Sequence, residues 1–311
     1  MVDRPNKPQA LVTTPGLPPQ AQVNITHDNS RVNAVLPSGE SIEVLLHGAT
    51  VTSWKDRAGN ERLWLSDAAK LDGSKAVRGG IPPGLPSPDH EPTSKLPQHG
   101  FARNSRWDFL GKSTTESSGQ TDASVKLDFG LSTATINDEA KKLWPFSFSL
   151  IYSVTLTPDA LRTGIVITND GDQPFEFQTL LHTYFRIGDI TKVSVSGLEE
   201  AAYVDKVDGA KEKQQAGDVT IAGEVDRVYH PANPSTPVVI SEGGESKFSI
   251  VRETLSDVVV WNPWIEKAQG MGDFEPKDGY KNMICVEAGS VKGFTKLEAG
   301  DAYSGEQVIT V

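Results

Sequence analysis

The apolar residues of this chain come in short runs that stop at turn-forming residues, and that punctuation constrains the fold more than any other feature. Residues 31–36 and 42–46 flank Pro37-Ser38-Gly39-Glu40 and predict a hairpin. A third strand is predicted over 48–54, closed by Asp56-Arg57-Ala58-Gly59-Asn60. Residues 124–129 alternate. Residues 146–156 are rich in aromatic and β-branched side chains and turn at Pro158-Asp159, and 161–168 return to the turn Asn169-Asp170-Gly171-Asp172. A long apolar run covers 175–185, and shorter strands are predicted at 193–195, 219–221, 238–240, 248–251, 258–261 and 283–286. Only 137–142 and 206–215 read as helical, and both are short. The pattern predicts an all-β sandwich or barrel. There is no internal repeat and no mid-chain linker. A Pro-rich, aperiodic stretch over 1–20 predicts a flexible tail ahead of one domain over 21–311.

Composition removes several function classes. The chain has 311 residues, enough for one large core. No apolar run approaches the roughly 20 residues of a membrane span, and the N-terminus lacks a basic-then-apolar signal pattern. A single cysteine, Cys285, excludes an internal disulfide and fits a reducing, cytoplasmic setting, where it reads as an inert core thiol. A net charge of −11 argues against nucleic acid as partner, because a phosphate backbone needs an extended basic face. Any phosphate bound should be small and held locally. The six histidines are dispersed, with no His-x-His or His-x-x-x-His spacing, so no metal is expected. A phosphate-binding P-loop, a dinucleotide fingerprint and a Gly-x-Ser-x-Gly elbow are all absent, so no cofactor is expected either. The chain is expected to act as a monomer on a small molecule.

Against that acidic background, residues 77–107 form a positive island. Arg78, Lys95, Arg103 and Arg106 outnumber Asp89 and Glu91, a formal charge of four minus two, +2. Arginine offers a planar fork that suits phosphate, and Gly79-Gly80 lets backbone approach a ligand closely. Gln98-His99-Gly100 adds a group that carries a proton near neutral pH. The same stretch also reads as a surface loop with one structural histidine. His182 sits near the end of the 175–185 run, where strand periodicity puts Leu180, His182 and Tyr184 on one side; it reads as a core histidine or a functional one. Glu287 ends the apolar run 283–286, and a carboxylate there reaches solvent, pairs, or sits in a cleft with a perturbed pKa. Asp226, within the alternation of 224–229, reads on its own as a surface acid. Trp261 and Trp264 suit either the core or the apolar face of a sugar.

Taken together, Arg78-Gly79-Gly80-Ile81-Pro82, residues 96–104 from Leu96-Pro97-Gln98-His99-Gly100 to Phe101-Ala102-Arg103-Asn104, Leu181-His182-Thr183-Tyr184-Phe185, residues 260–267 and Cys285-Val286-Glu287 resemble, in order, the aldose 1-epimerase superfamily. The resemblance is to its hexose-6-phosphate mutarotase branch of fungal type. It implies a β-supersandwich of the galactose-mutarotase type, and a reaction in which α and β anomers of a hexose 6-phosphate interconvert through the open-chain aldehyde. It further implies Glu287 as the base at the C1 hydroxyl and His182 as the acid at the ring oxygen. Asp226 and His99 would hold sugar oxygens, and Arg78, Gln98 and Arg103 the substrate and its phosphate. The pair is expected to be charged at neutral pH, carboxylate beside imidazolium, each stabilising the other. Where the family carries an aromatic Phe-Pro-x-Phe-Gly segment, this chain has Pro83-Gly84-Leu85-Pro86-Ser87-Pro88, which alters one pocket wall. An epimerase for unphosphorylated aldoses and a non-catalytic sugar-phosphate binder are the competing readings.

Overall fold

In the strand Ser124–Ser132, buried Val125, Leu127, Phe129 and Leu131 alternate with partly exposed neighbours, as a half-buried strand requires. A computed structural model describes residues 20–86, 95–115 and 123–311. The lead-in up to residue 19 and the altered loop from Ser87 onward lie outside the described residues.

The described strands form three sheets, and every pairing between them is antiparallel. Gln22–Thr26, Arg31–Val35, Ser41–Leu45 and Thr50–Lys55 make a four-stranded meander. The nine-stranded sheet runs in spatial order Val219–Thr220, Val193–Ser196, Val238–Glu242, Glu245–Glu253, Ala302–Thr310, Ala160–Asn169, Phe148–Leu156, Ser124–Ser132 and Asp108–Thr115. The eight-stranded sheet runs Lys211–Gln214, Ala202–Asp205, Val225–His230, Asp257–Asn262, Met283–Leu297, Phe175–Leu181 and Pro83–Gly84, with Tyr184–Arg186 also on Met283–Leu297. The main core joins the two large sheets. Leu127, Phe129, Tyr152 and Ile165 from one lie in the same buried cluster as Phe177, Phe185, Val260 and Val286 from the other.

The eight-stranded sheet is buried on its second face as well. Leu180, Tyr184, Val259, Trp261, Met283 and Cys285 pack there with Trp64, Phe274 and Tyr280. Double burial explains why Asp257–Asn262 is buried at every position and reads as a continuous apolar run.

Two expectations change. Residues 206–215 are not helical: Lys211–Gln214 pairs with Ala202–Asp205 as a hairpin. The turn between them needs positive φ at Gly209 (+64°) and Ala210 (+58°), and Lys213 ties Asp205 to Asp208 at 2.9 Å each. The 175–185 run is also not one strand. It breaks at His182-Thr183, where the Thr183 hydroxyl accepts from Gln307 Nε2 (3.0 Å). The helix read at 137–142 is Asp138–Leu143, capped by Asn137 Oδ1 accepting from the Ala140 N–H (2.8 Å).

Candidate active site

The second face of the eight-stranded sheet carries the chemistry. Along Met283–Leu297, alternation sends Ile284, Val286 and Ala288 into the main core and Met283, Cys285 and Glu287 to the other side. Register then lines up two rows: Asp226, Trp261, Cys285 and Tyr184 across four strands, and Val228, Val259 and Glu287 beside them.

His182 is delivered to this face by the strand break. Its backbone N–H donates to the Pro82 carbonyl (3.2 Å), and the Tyr184 N–H to Gly80 (2.9 Å), so the chain bearing Arg78 runs alongside. Pro83–Gly84 pairs with Leu180 and Leu181. Leu85 in turn exchanges backbone bonds with His99 and Ala102, which brings the Gln98–Arg103 segment in. His99 holds φ of +61° ahead of Gly100 at +74°, backbone strain of the kind that collects at functional sites.

His182 Nδ1 lies 3.3 Å from Glu287 Oε1, with the residues only 7% and 2% exposed. The contact is close enough for an ion pair but lacks hydrogen-bond alignment: His182 Nδ1 and Glu287 Oε2 are both buried without a hydrogen-bond partner. The other ring nitrogen, Nε2, is 3.4 Å from Tyr184 Oη, and the two rings stack at 4.5 Å and 4°. Trp261 meets both edge-on, and His99 meets His182 edge-on at 5.4 Å.

Arg78 donates from Nε to Asp273 Oδ1 (3.2 Å), reaches Asp273 Oδ2 from Nη2 (3.1 Å), and donates from Nη1 to Tyr184 Oη (3.3 Å). Arg103 is held differently: Nη2 donates to the Gln98 carbonyl (2.8 Å), and Nε is buried without a partner. Gln98 itself is exposed, and what it gives Arg103 is its backbone oxygen. Lys95 and Arg106 stay apart: Lys95 is exposed, and Arg106 donates to the Asn29 carbonyl at 2.6 Å. The positive island therefore contributes two arginines to the site.

Burial sets the electrostatics. It drives the Glu287 carboxyl well above its usual range, and Asp226 adds to that while Lys206 and Arg103 oppose it. Burial also drives His182 well below its usual value, and His99, Arg103 and Arg78 push it the same way. His99 is pushed down to about 3 by burial, then by Arg103, Lys206 and Arg78. Asp226 is raised by burial against Lys206 and Lys267. Against the expected carboxylate–imidazolium pair, burial works toward the neutral form of each group.

Sequence reasoning missed Asp273, nearly two hundred residues from Arg78, and Lys206, hidden in a segment read as helical. Neither carried a local signal. Cys285 is buried as expected, but on the site's face, and burial holds its thiol protonated. Donor atoms of His182, Cys285 and Glu287 lie within 4.8 Å of one another, a grouping that dispersed histidine spacing did not reveal.

The antiparallel, mostly β architecture is that of the galactose-mutarotase-like folds. The chain belongs to the aldose 1-epimerase family, whose profile matches residues 34–310. A protein from Cenchrus ciliaris, provisionally named glucose-6-phosphate 1-epimerase, is 38% identical over 85% of this chain and 79% of its own length. One of the same provisional name from Escherichia coli is 38% identical over 78% of this chain and 77% of its own. The crystal structure of a provisionally named mutarotase from Salmonella typhimurium superposes with a TM-score of 0.78 at 28% identity, covering 94% of this chain and 93% of that one. No helix among the described residues is long and apolar enough to cross a membrane.

Proposed function

We propose that this chain interconverts the α and β anomers of hexose 6-phosphates, glucose 6-phosphate foremost, by opening and reclosing the sugar ring. The observation that carries the reading is the buried His182–Glu287 pair, each with an unpartnered polar atom, next to Arg103 with an unpartnered Nε. With one proton shared by the pair and placed on His182, Glu287 as carboxylate takes the proton from the C1 hydroxyl while His182 delivers its own to the ring oxygen. Rotation about C1–C2 of the aldehyde turns its other face, and the two groups exchange roles as the ring closes. The single proton of the pair suffices for this cycle. Positioned acid–base groups each give about 10²–10⁴-fold, and mutarotation in water is already fast enough that two of them meet the demand.

Asp226 and His99, on either side of the pair, hold sugar hydroxyls. His99, neutral down to about pH 3, both donates and accepts there. Arg103 takes the phosphate, with its guanidinium placed by the Gln98 carbonyl. Arg78 stands behind it, its fork largely closed by Asp273. That closure favours Arg103 over Arg78 as the anion's first contact, and it keeps the unphosphorylated-aldose reading as the alternative to be tested.

The test is anomer exchange followed by NMR saturation transfer, at low temperature and mildly acidic pH to slow the spontaneous reaction. Acceleration of glucose 6-phosphate well beyond glucose is the expected result. Equal acceleration of both sugars would point to a general aldose epimerase, and acceleration of neither would remove the enzymatic reading.

A further inference from the structure

We propose that the phosphate seat is an activating oxyanion site as well as an anchor: a tetrahedral dianion held at Arg103 beside Arg78 acts through Tyr184 on His182, so that phosphite supplied as a separate ion accelerates anomerisation of an unphosphorylated aldose. The inference rests on the acid–base assignment above and extends it to what the substrate's phosphate does during the reaction.

The connection is a chain of three groups. Arg78 Nη1 donates to Tyr184 Oη, and that oxygen is 3.4 Å from His182 Nε2. Arginine has no acceptor, so the phenol oxygen accepts from it. Among the described residues the hydroxyl's other partner is His182 Nε2, and we place the phenol proton on that side. A ring nitrogen that accepts a proton in a hydrogen bond cannot carry one. Held in this way by Arg78 and Tyr184, His182 is neutral imidazole, the form that delivers protons poorly.

Of the groups facing His182, the two arginines act in the same direction. Arg103 and His99 come from the Gln98–Arg103 segment, Arg78 from the chain beside Tyr184, and Glu287 and Cys285 from Met283–Leu297. Of the two arginines, Arg78 is matched by Asp273, whereas Arg103 meets only a carbonyl oxygen and has a buried, unsatisfied Nε. An oxyanion fits that unsatisfied group. Its negative charge cancels the potential that repels a proton from His182. It also draws Arg78 Nη1 away from Tyr184, leaving the phenol oxygen free to accept from a protonated Nε2. Imidazolium is then supported at one nitrogen while the other faces the reacting atoms. Binding energy from a part of the substrate remote from C1 is thereby expressed in the chemical step and not only in affinity.

The experiment measures glucose anomer exchange with and without phosphite dianion, each against an enzyme-free blank, because oxyanions catalyse mutarotation in water by themselves. The expected result is a saturable rise in kcat/KM for glucose of about tenfold or more, equivalent to one unit of His182 protonation. The rise should vanish in Arg103→Met. Tyr184→Phe should bind phosphite nearly as well, judged by competition against glucose 6-phosphate, and yet lose most of the activation. In the wild type, the acid limb of the rate profile should move to higher pH when phosphite is bound. Phosphite that competes with glucose 6-phosphate but leaves the glucose rate unchanged would make the seat an anchor alone and overturn the inference. Activation that survives in either variant would overturn it too. Failure of the wild type to accelerate glucose 6-phosphate itself is a different result, and would sink the parent assignment.

Discussion

Glu287 is the side chain whose replacement separates chemistry from binding. Glu287→Gln keeps the shape and removes the proton acceptor, so kcat should fall about 10²–10⁴-fold. The folded state should persist, because the amide keeps the shape of the carboxyl and burial disfavours the charge that the substitution removes. Steady-state exchange rates and a thermal melt check both halves, and full activity would exclude Glu287 as base. Arg103→Ala tests the anion seat. Loss of a charge-assisted contact should cost about 10–100-fold in kcat/KM for glucose 6-phosphate, and the effect on glucose should be far smaller; equal losses on both sugars would count against a phosphate role. Much of this site was legible at the level of residues. A carboxylate ending an apolar run and a histidine inside another are costly placements that ask for a reason, and the structure puts His182 and Glu287 3.3 Å apart. Asp226, His99, Arg78 and Arg103 converge on the same face. Pairwise chemistry across the chain was not legible: Asp273 closing Arg78, and the burial that neutralises the pair, arise only when distant segments meet.

Strands were legible wherever one face meets solvent, as in Ser124–Ser132 and Ala160–Asn169, because period-two burial marks them directly. Edge strands were less so. Gln22–Thr26 is mostly exposed and has little apolar pattern, and Lys211–Gln214 is charged enough to mimic a helix surface. The segment from Arg78 to Pro82 is legible in another way, through its glycines. Gly80 has φ of +68°, and a Cβ there would sit 2.1 Å from the Val51 carbonyl oxygen. The contact is backbone against backbone, where the Ile81 N–H donates to that same oxygen (2.9 Å). Gly80→Ala should therefore destabilise the protein by about 3 kcal/mol, seen as a lower urea midpoint at unchanged slope. It should also weaken sugar-phosphate binding, since the Gly80 carbonyl accepts from Tyr184 N and the same segment carries Arg78. An unchanged midpoint would mean that this crossing of Val51 can relax, and that the segment does not hold the site rigidly.

For the molecule as a whole, the burial that prepares the site also shapes stability against pH. His99 and His182 titrate near 6.5 when exposed, but folded they resist protonation, His99 down to about 3. Between those limits the unfolded chain binds protons that the folded chain refuses, so these two groups make stability fall as pH drops below 6.5. Glu287 acts in the opposite sense. Its folded pKa is raised well above 4.5, so above 4.5 the folded chain keeps a proton that the unfolded chain has released, and this contribution makes stability fall as pH rises. From about pH 6.5 down to 4.5, His99 takes up one proton on unfolding and His182 acts in the same sense, while Glu287 and Asp226 oppose them. The part of the slope that belongs to His99 is about 1.4 kcal/mol per pH unit. His99→Asn keeps a hydrogen-bonding side chain at a position with φ of +61°, a conformation asparagine adopts readily. It removes the His99 proton, so the fall of stability toward acid in that interval should lose about 1.4 kcal/mol per pH unit. Urea unfolding at a series of pH values reads this directly. An acid limb as steep in His99→Asn as in the wild type would show that His99 titrates normally in the folded protein, and that the stretch carrying it is open to water instead of packed against His182.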